Sequence, residues 1–202
     1  MNLSEFRNWH YNRPAYDWPD NHLGFPWHDG RPNHSDISSH IPFLQYLASK
    51  CNHIVEFGVR DGGSTSAFMC GLPSSGKLMS YDLNEPPFIS ELDISTVPCD
   101  WKFNIANTTD ENFEIEETDL LFIDTLHTYE QVRDELALHA HKARKQIVFH
   151  DTQSHGEISR DVNGAEGILK SIYEFLDSNK EWHIAYKVEF CQGLTLIEKS
   201  SG

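Results

Sequence analysis

Carboxylates, histidines and glycines follow four short apolar segments of the chain. The first segment runs into a glycine-rich turn, residues 56–64, and the others end at Asp82, at Asp124 with His127, and at His150-Asp151. Glycines let a backbone approach a ligand closely, while carboxylates and imidazoles can accept hydrogen bonds, hold cations or move protons. Because ligands of open parallel sheets bind beyond the carboxyl ends of the strands, we expect these residues to share one site.

The glycine-rich turn is typical of a site for a nucleotide-like ligand, and two phosphate-binding interpretations can be tested on the sequence. The dinucleotide fingerprint G-x-G-x-x-G would use Gly58 and Gly63 as its outer glycines, but its middle position is Arg60, whose side chain obstructs the approach of a pyrophosphate. Residues 71–78 nearly spell a phosphate-binding loop, yet that segment ends in Leu78, which cannot hold Mg²⁺. A nicotinamide-dependent oxidoreductase is therefore disfavoured.

An adenosine that carries a sulfonium and an amino-acid tail suits all four segments better. Gly58 and Gly62 allow the turn to pass close to such a ligand. Asp82, which follows the loop by about 20 residues, is placed to accept both ribose hydroxyls, although a turn former at a strand end is the plain alternative. Glu56 and Asp124 are carboxylates that either face the ammonium group of the ligand or orient the loop.

Alternating strands and helices are expected to position these residues. Apolar runs predict strands at 53–57, 78–81, 101–105, 120–123 and 147–149, and helical spacing predicts helices over 35–48, 64–70, 128–143 and 165–176. The segments 182–190 and 194–198 flank Cys191-Gln192-Gly193 and predict a hairpin. The pattern is typical of an α/β fold whose mostly parallel sheet has helices on both faces and one antiparallel edge.

The chain resembles the class I S-adenosylmethionine (SAM)-dependent methyltransferases from about Ser35 to Glu198. The resemblance is carried, in order, by Val55–Thr65, Tyr81-Asp82, Asp119–Asp134 and Val148–Thr152. The most similar group is that of small-molecule O-methyltransferases, which includes macrolide-sugar methyltransferases and cephalosporin-hydroxylase-like proteins. It implies a Rossmann-like, doubly wound, seven-stranded sheet of order 3-2-1-4-5-7-6 with strand 7 antiparallel. It also implies SAM as the cofactor, and the candidate cofactor-binding residues are Glu56, Gly58, Arg60, Gly62, Ser64, Asp82 and Asp124.

A divalent metal and a general base are also implied by the resemblance. Metal-dependent members carry Asp-x-x-His after the fourth strand, which Asp124-Thr125-Leu126-His127 matches, so Asp124 is implied as a metal ligand and His127 as the base. The acidic pair that those members carry after the fifth strand is altered to His150-Asp151. The candidate metal ligands are thus Asp124, His150 and Asp151, and the ion is Mg²⁺ or Mn²⁺. Two carboxylates with an imidazole favour Mn²⁺, Fe²⁺ or Zn²⁺ relative to Mg²⁺.

Charge and cysteine usage exclude several other classes of protein. The chain has 16 basic and 31 acidic residues and a net charge of −15, so nucleic acids and anionic membranes are poor partners. There is no apolar run of about 18 residues that would span a bilayer, and the first residues lack the pattern of a signal peptide. Four scattered cysteines predict free thiols and a cytoplasmic protein.

Residues 1–34 lie outside the resemblance and are expected to form an irregular arm before a methyltransferase domain at 35–202. Three tryptophans and four prolines in this arm argue against both disorder and regular structure. We expect it to pack on the core or on a second copy of the chain, as in a homo-oligomer.

The sequence therefore predicts a SAM-dependent O-methyltransferase that acts on a hydroxyl of a small molecule or sugar. The alternative is a SAM-binding protein of the same fold that does not methylate, either a binding or regulatory protein or an enzyme that uses the sulfonium in another reaction. The long segments 84–100 and 153–163 are expected to overhang the site, and His139 and His141 are expected on the exposed side of a helix.

Overall fold

A seven-stranded sheet forms the centre of the protein in the computed structural model, which describes residue 2 and residues 37–200. The strand order is β3-β2-β1-β4-β5-β7-β6, with β7 antiparallel to both of its neighbours, so the predicted order and direction are confirmed. The strands are β1 (His53–Phe57), β2 (Lys77–Asp82), β3 (Asp100–Ile105), β4 (Thr118–Ile123), β5 (Ala143–His150), β6 (Trp182–Val188) and β7 (Leu194–Lys199). The helices are α1 (Ile41–Ala48), α2 (Gly63–Gly71), α3 (Tyr129–His139) and α4 (Ile168–Ser178).

The central strands are buried on both faces, as their uninterrupted apolar runs predict. All six residues of β4 are buried, and alternate side chains point to opposite faces of the sheet. Leu120 and Phe122 pack in the core that includes α1 and α2, whereas Leu121 and Ile123 pack in the core that includes α3 and α4. Helices cover both faces, which leaves the carboxyl ends of β1, β2, β4 and β5 along one edge.

Three predicted helix boundaries differ from those in the structure, because the apolar pattern does not reveal the hydrogen bonds that begin or end each helix. The helix predicted to run to residue 143 ends at His139, and a 3-10 turn leads into β5 at Ala143. The helix predicted from residue 165 begins at Ile168, because the Ala165 carbonyl accepts the Ser159 amide and the Gly167 amide donates to Glu157. The first helix likewise begins at Ile41, after a 3-10 turn at Ser38–His40.

The prediction that His139 lies on the surface is wrong, whereas His141 is exposed as expected. His139 is buried at 1% exposure, and its Nε2 lies 2.8 Å from the Thr108 carbonyl oxygen. The ring also packs edge-on against Phe57. The hydrogen-bond partner of His139 lies 31 positions away in the sequence. The periodicity of a helix does not reveal such a contact.

The predicted arm at 1–34 and its boundary at residue 35 lie outside the described residues, apart from residue 2. Within 37–200, no helix is long and apolar enough to cross a membrane. All four cysteines are free thiols, as their scattered positions predict.

Candidate active site

The turn between β1 and α2 is built on two glycines with left-handed backbone. Gly58 and Gly62 both have φ of +83°, a conformation that glycine adopts without steric cost. A Cβ atom at Gly58 would lie 1.8 Å from the carbonyl oxygen of Asp124. The cofactor loop predicted from the sequence therefore packs directly against the end of β4, where the predicted metal ligand and base are located.

Asp82 organises this loop from the end of the neighbouring strand β2. Its Oδ2 accepts the backbone amides of Val59 at 2.8 Å and Arg60 at 3.0 Å, and its Oδ1 accepts the Asn84 amide at 3.2 Å. The structure thus brings the predicted ribose-binding carboxylate against the glycine loop. Arg60 itself is exposed and has φ of +47°.

Glu56 lies beneath the loop and not at its surface. The side chain is fully buried, and its carboxylate accepts hydroxyl hydrogen bonds from Ser64 and Ser80, both at 2.6 Å, and from Thr65 at 2.9 Å. Of the two roles that the sequence left open for Glu56, this placement supports orientation of the loop. Ser64, also buried, serves the same contact at the start of α2.

Burial raises the pKa of Glu56 from 4.5 to about 7, although the hydroxyls of Ser64, Ser80 and Thr65 oppose the shift. The folded protein therefore binds a proton here that the unfolded chain has already lost, and its stability should fall as the pH rises from about 4.5 to 7. The expected loss is roughly 3 kcal/mol. Glu56→Gln, which cannot ionise, should lack this loss. Urea unfolding of both proteins between about pH 5 and 7.5 measures the difference.

The exposed change Glu111→Gln is the matched control, and its difference from the wild type should not vary over the same range of pH. A constant difference between Glu56→Gln and the wild type would show that the Glu56 carboxyl titrates normally.

Two aspartates and two histidines meet at the carboxyl ends of β4 and β5. The Nε2 atom of His127 lies 3.2 Å from Asp124 Oδ1 and 3.0 Å from Asp151 Oδ2. The Nδ1 atom of His150 lies 3.3 Å from Asp124 Oδ2 and 3.2 Å from Asp151 Oδ2. The structure therefore brings together all four residues that the sequence predicted as metal ligands or base, and we call them the Asp–His cluster.

Local backbone geometry directs these side chains into the cluster. Asp151, the first residue after β5, has φ of +59°, a left-handed conformation that aspartate tolerates better than most residues. In the loop after β4, the Thr125 hydroxyl donates to the buried carboxylate of Glu135 at 3.0 Å. Thr128 accepts the Gln131 amide at 3.3 Å as the predicted N-cap of α3. His127 is thus held between a fixed strand end and a capped helix.

Electrostatic interactions within the cluster are strong. Burial lowers the pKa of His127, but its hydrogen bonds to Asp124, Asp151 and Asp161 outweigh burial and raise the pKa to about 12. The pKa of His150 is also raised, against the effect of burial, by the charges of Asp151 and Asp124. Burial raises the pKa of each aspartate, yet the charge of His150 and the hydrogen bonds from both histidines hold the two values below the ordinary range. Without another cation, the histidines supply the positive charge that the aspartates require.

Asp161, which the sequence analysis did not single out, supports His127 from outside the cluster. Its Oδ2 lies 2.7 Å from Nδ1 of His127 and accepts the His127 backbone amide at 3.1 Å. Asp161 lies in the loop after β5, where the buried Ser159 hydroxyl accepts its amide at 3.2 Å. Only the predicted overhang of residues 153–163 pointed to this region, because the contact joins residues 34 positions apart.

His40 supports the other histidine and was also missed. Its Nε2 lies 3.0 Å from the Cys191 carbonyl oxygen, and Nε2 of His150 lies 3.2 Å from the same oxygen. Burial, with the nearby charge of His150, lowers the pKa of His40 to about 3, so this ring is neutral. The turn between β6 and β7 thereby joins the site, although its sequence predicted only a hairpin.

The strand order and the glycine loop at the β1 end define a class I methyltransferase fold, and comparisons with known proteins agree. Residues 55–152 match the model of a protein family described as a methyltransferase domain. The resemblance predicted from the motifs is thereby confirmed. No match was found among curated proteins.

Solved structures of similar fold include three methyltransferases. An O-methyltransferase from Bacillus cereus in complex with S-adenosylhomocysteine (SAH) is 18% identical, with 98% of this chain and 90% of that chain covered and a TM-score of 0.64. The O-methyltransferase TomG from Streptomyces achromogenes, in complex with SAM, is 16% identical, with 98% and 89% covered and a TM-score of 0.60. SAH-bound PaMTH1 from Podospora anserina is 16% identical, with 98% and 88% covered and a TM-score of 0.58. At sequence identities of 16% to 18%, the similarity to these structures shows the shared fold alone.

Proposed function

We propose that the protein transfers the methyl group of SAM to a hydroxyl of a small molecule. The observation that carries this proposal is the contact between Gly58 and the backbone of Asp124, which sets the cofactor loop directly beside the Asp–His cluster. Methyl transfer needs a sulfonium and a deprotonated oxygen held in line, and alignment alone can supply roughly 7–11 kcal/mol of the barrier. The similar structures from Bacillus cereus and Streptomyces achromogenes are described as O-methyltransferases, which supports the same reaction for this protein.

In this proposal the cofactor lies over the loop from Gly58 to Ser64. Asp82 accepts the ribose hydroxyls with the carboxylate that also receives the Val59 and Arg60 amides. Glu56 and Ser64 act from below by fixing the start of α2. Arg60, in the loop, and Asp124, at the end of β4, complete the set of candidate cofactor-binding residues.

The residues present fit a divalent metal ion. Single ligand atoms of Asp124, His127 and Asp151 all lie within 4.8 Å of one another, and His150 contacts both aspartates. Asp124, His150 and Asp151 are the residues that the sequence predicted would hold the ion. A bound divalent ion lowers the pKa of a coordinated hydroxyl and so helps to form the nucleophile.

His127 remains our predicted group for removal of the acceptor proton. Against the effect of burial, its hydrogen bonds to Asp124, Asp151 and Asp161 raise the pKa of the imidazole to about 12, so it can act as the base only in a state in which it has lost that proton. His127→Ala should lower turnover by about 100-fold or more, because general bases typically contribute factors of 10² to 10⁴. The affinity for SAH should stay within about threefold of the wild type, since His127 lies beyond the loop that binds the cofactor. The exposed change His141→Ala is the control. Unchanged turnover in His127→Ala would remove His127 from the mechanism.

The alternative is a protein that binds SAM without methylating anything. Incubation of the full chain with SAM and a panel of catechols and glycosides, followed by mass spectrometry, separates the two functions. We expect one acceptor to gain the mass of one CH₂ group while SAH accumulates. SAM binding without a methylated acceptor or SAH formation across the panel would favour the alternative.

A further inference from the structure

The four side chains of the Asp–His cluster form a closed ring of contacts in which each histidine nitrogen lies near both aspartates. Asp124 takes part through both of its oxygens, and Asp151 takes part through Oδ2 alone. His127 Nε2 lies 3.2 Å from Asp124 Oδ1 and 3.0 Å from Asp151 Oδ2. His150 Nδ1 closes the ring at 3.2 Å from the same Asp151 oxygen and 3.3 Å from Asp124 Oδ2. The separations are nearly equal, although the residues come from two different strand ends.

These separations are those of neighbouring ligands around one metal ion. Imidazole nitrogens and carboxylate oxygens bind zinc at about 2.0–2.2 Å, so neighbouring ligands at octahedral or tetrahedral angles lie about 3.0–3.4 Å apart. All four measured distances fall within this interval. His127 meets it as well as His150 does. His127, unlike His150, also belongs with Asp124 and Asp151 to a set of ligand atoms that all lie within 4.8 Å of one another, so the geometry favours His127 as a ligand.

Three of the four side chains are also held at the atom that faces away from the ring. His127 Nδ1 lies 2.7 Å from Asp161 Oδ2, and His150 Nε2 lies 3.2 Å from the Cys191 carbonyl oxygen. Asp151 Oδ1 accepts the Ser154 hydroxyl at 2.7 Å. Metal-binding histidines nearly always donate their second N–H to a carboxylate or carbonyl, which aims the other nitrogen at the metal.

We propose that His127 is a metal ligand positioned by Asp161, and that it completes a two-histidine, two-aspartate centre for a first-row transition ion such as Mn²⁺, Fe²⁺ or Zn²⁺. Mg²⁺ prefers oxygen ligands, so two imidazoles select against it. The proposal deepens the proposed function and rests on it only for the use of the metal in methyl transfer. The coordination itself is independent of cofactor and acceptor.

This assignment competes with the general-base role of His127. When Nε2 of His127 binds a metal ion and its Nδ1–H donates a hydrogen bond to Asp161, the imidazole has no lone pair left to accept a proton. Both roles predict that His127→Ala loses turnover. Only the ligand role predicts that the variant also loses metal.

A second set of possible ligand atoms, from His127, His155 and Asp161, lies on the outer side of the cluster. His155 Nδ1 already accepts the Arg160 amide at 3.2 Å, and it lies 3.8 Å from Asp161 Oδ1. His155 is therefore the control: its ring packs against His127 with the centroids 4.3 Å apart, and His155→Gln removes this imidazole while all four residues of the Asp–His cluster remain.

Calorimetric titration of the metal-free full chain with Mn²⁺, Zn²⁺ and Mg²⁺, without SAM or acceptor, tests the proposal. We expect one equivalent of Mn²⁺ or Zn²⁺ to bind at least about 100-fold more tightly than Mg²⁺. His127→Ala should weaken Zn²⁺ binding by about 100-fold, and Asp161→Asn by about 10- to 100-fold. The absorption spectrum of bound Co²⁺ should change in both variants and stay unchanged in His155→Gln.

The chain has 12 histidines, and those outside the cluster can also bind metal ions. The double variant Asp124→Asn/Asp151→Asn measures this background binding. Circular dichroism identifies any variant that fails to fold, and His127→Gln then replaces His127→Ala. Wild-type affinity and Co²⁺ spectrum in a folded His127 variant would overturn the proposal, as would equal affinity for Mg²⁺ and Mn²⁺. Loss of metal in His155→Gln would place the ion at the outer set. Failure of methyl transfer with intact metal binding would reject the proposed function alone.

Discussion

Gly58→Ala is expected to destabilise the protein by at least about 3 kcal/mol, which is the range of severe core and backbone changes. The added methyl group would lie 1.8 Å from the Asp124 carbonyl oxygen, which is main chain and cannot rotate away. Relief of this clash requires β1 and β4 to separate at their carboxyl ends, which would displace both the cofactor loop and the cluster. Urea unfolding measures the stability, and titration with SAH should detect no binding.

Gly164→Ala is the matched control for this substitution. Gly164 has φ of +81°, almost the value at Gly58, but a Cβ there meets nothing within 4 Å. It should therefore cost only the intrinsic penalty of a left-handed alanine, about 1–2 kcal/mol. Equal losses of stability in the two variants would mean that the close approach of the loop to Asp124 is not a constraint.

Asp82→Ala is expected to weaken SAH binding by about 100-fold, equivalent to about 3 kcal/mol. The variant loses an acceptor for the ribose and also the carboxylate that receives the Val59 and Arg60 amides. Hydrogen bonds to charged groups contribute about 1.5–3 kcal/mol each, so two losses reach this size. Asp82→Asn keeps one acceptor oxygen without the charge and should weaken binding by about 10-fold. Isothermal calorimetry measures both.

The control for Asp82 is Asp177→Ala, which removes an exposed carboxylate on α4 far from the loop. It should leave SAH affinity unchanged. If Asp82→Ala bound SAH with an affinity within about threefold of the wild type, Asp82 would have no role in cofactor recognition.

The sheet was predictable because its central strands carry a signal in their own residues. Four consecutive apolar residues at 120–123 indicate a strand buried on both faces, and Asp82 ends β2 as its position predicted. Helix ends were less predictable. The apolar spacing of α3 continues through Ala140 and Ala143, yet those residues form a 3-10 turn and the start of β5. Local periodicity does not reveal where tertiary hydrogen bonds take over.

The same limit applies to the site. The four residues of the Asp–His cluster lie at the ends of β4 and β5. The rule that ligands bind beyond the carboxyl ends of parallel strands therefore predicts that they lie together. Asp161 and His40 act through partners that are distant in sequence, and neither stands at a strand end. Glu56 stands at the end of β1 but lies beneath the loop, because hydroxyls of α2 and β2 surround its carboxylate. The face of the sheet to which a strand side chain points determines whether that side chain lies beneath the loop or in the site.

A crystal structure of the full chain grown with SAH is the most direct measurement of where the cofactor binds. The ligand should lie against the loop at Gly58 and Gly62, with its ribose hydroxyls within hydrogen-bond distance of the Asp82 carboxylate and its sulfur facing the Asp–His cluster. Clear density for SAH at any other surface of the protein, or an Asp82 carboxylate turned away from the bound ribose, would contradict the account.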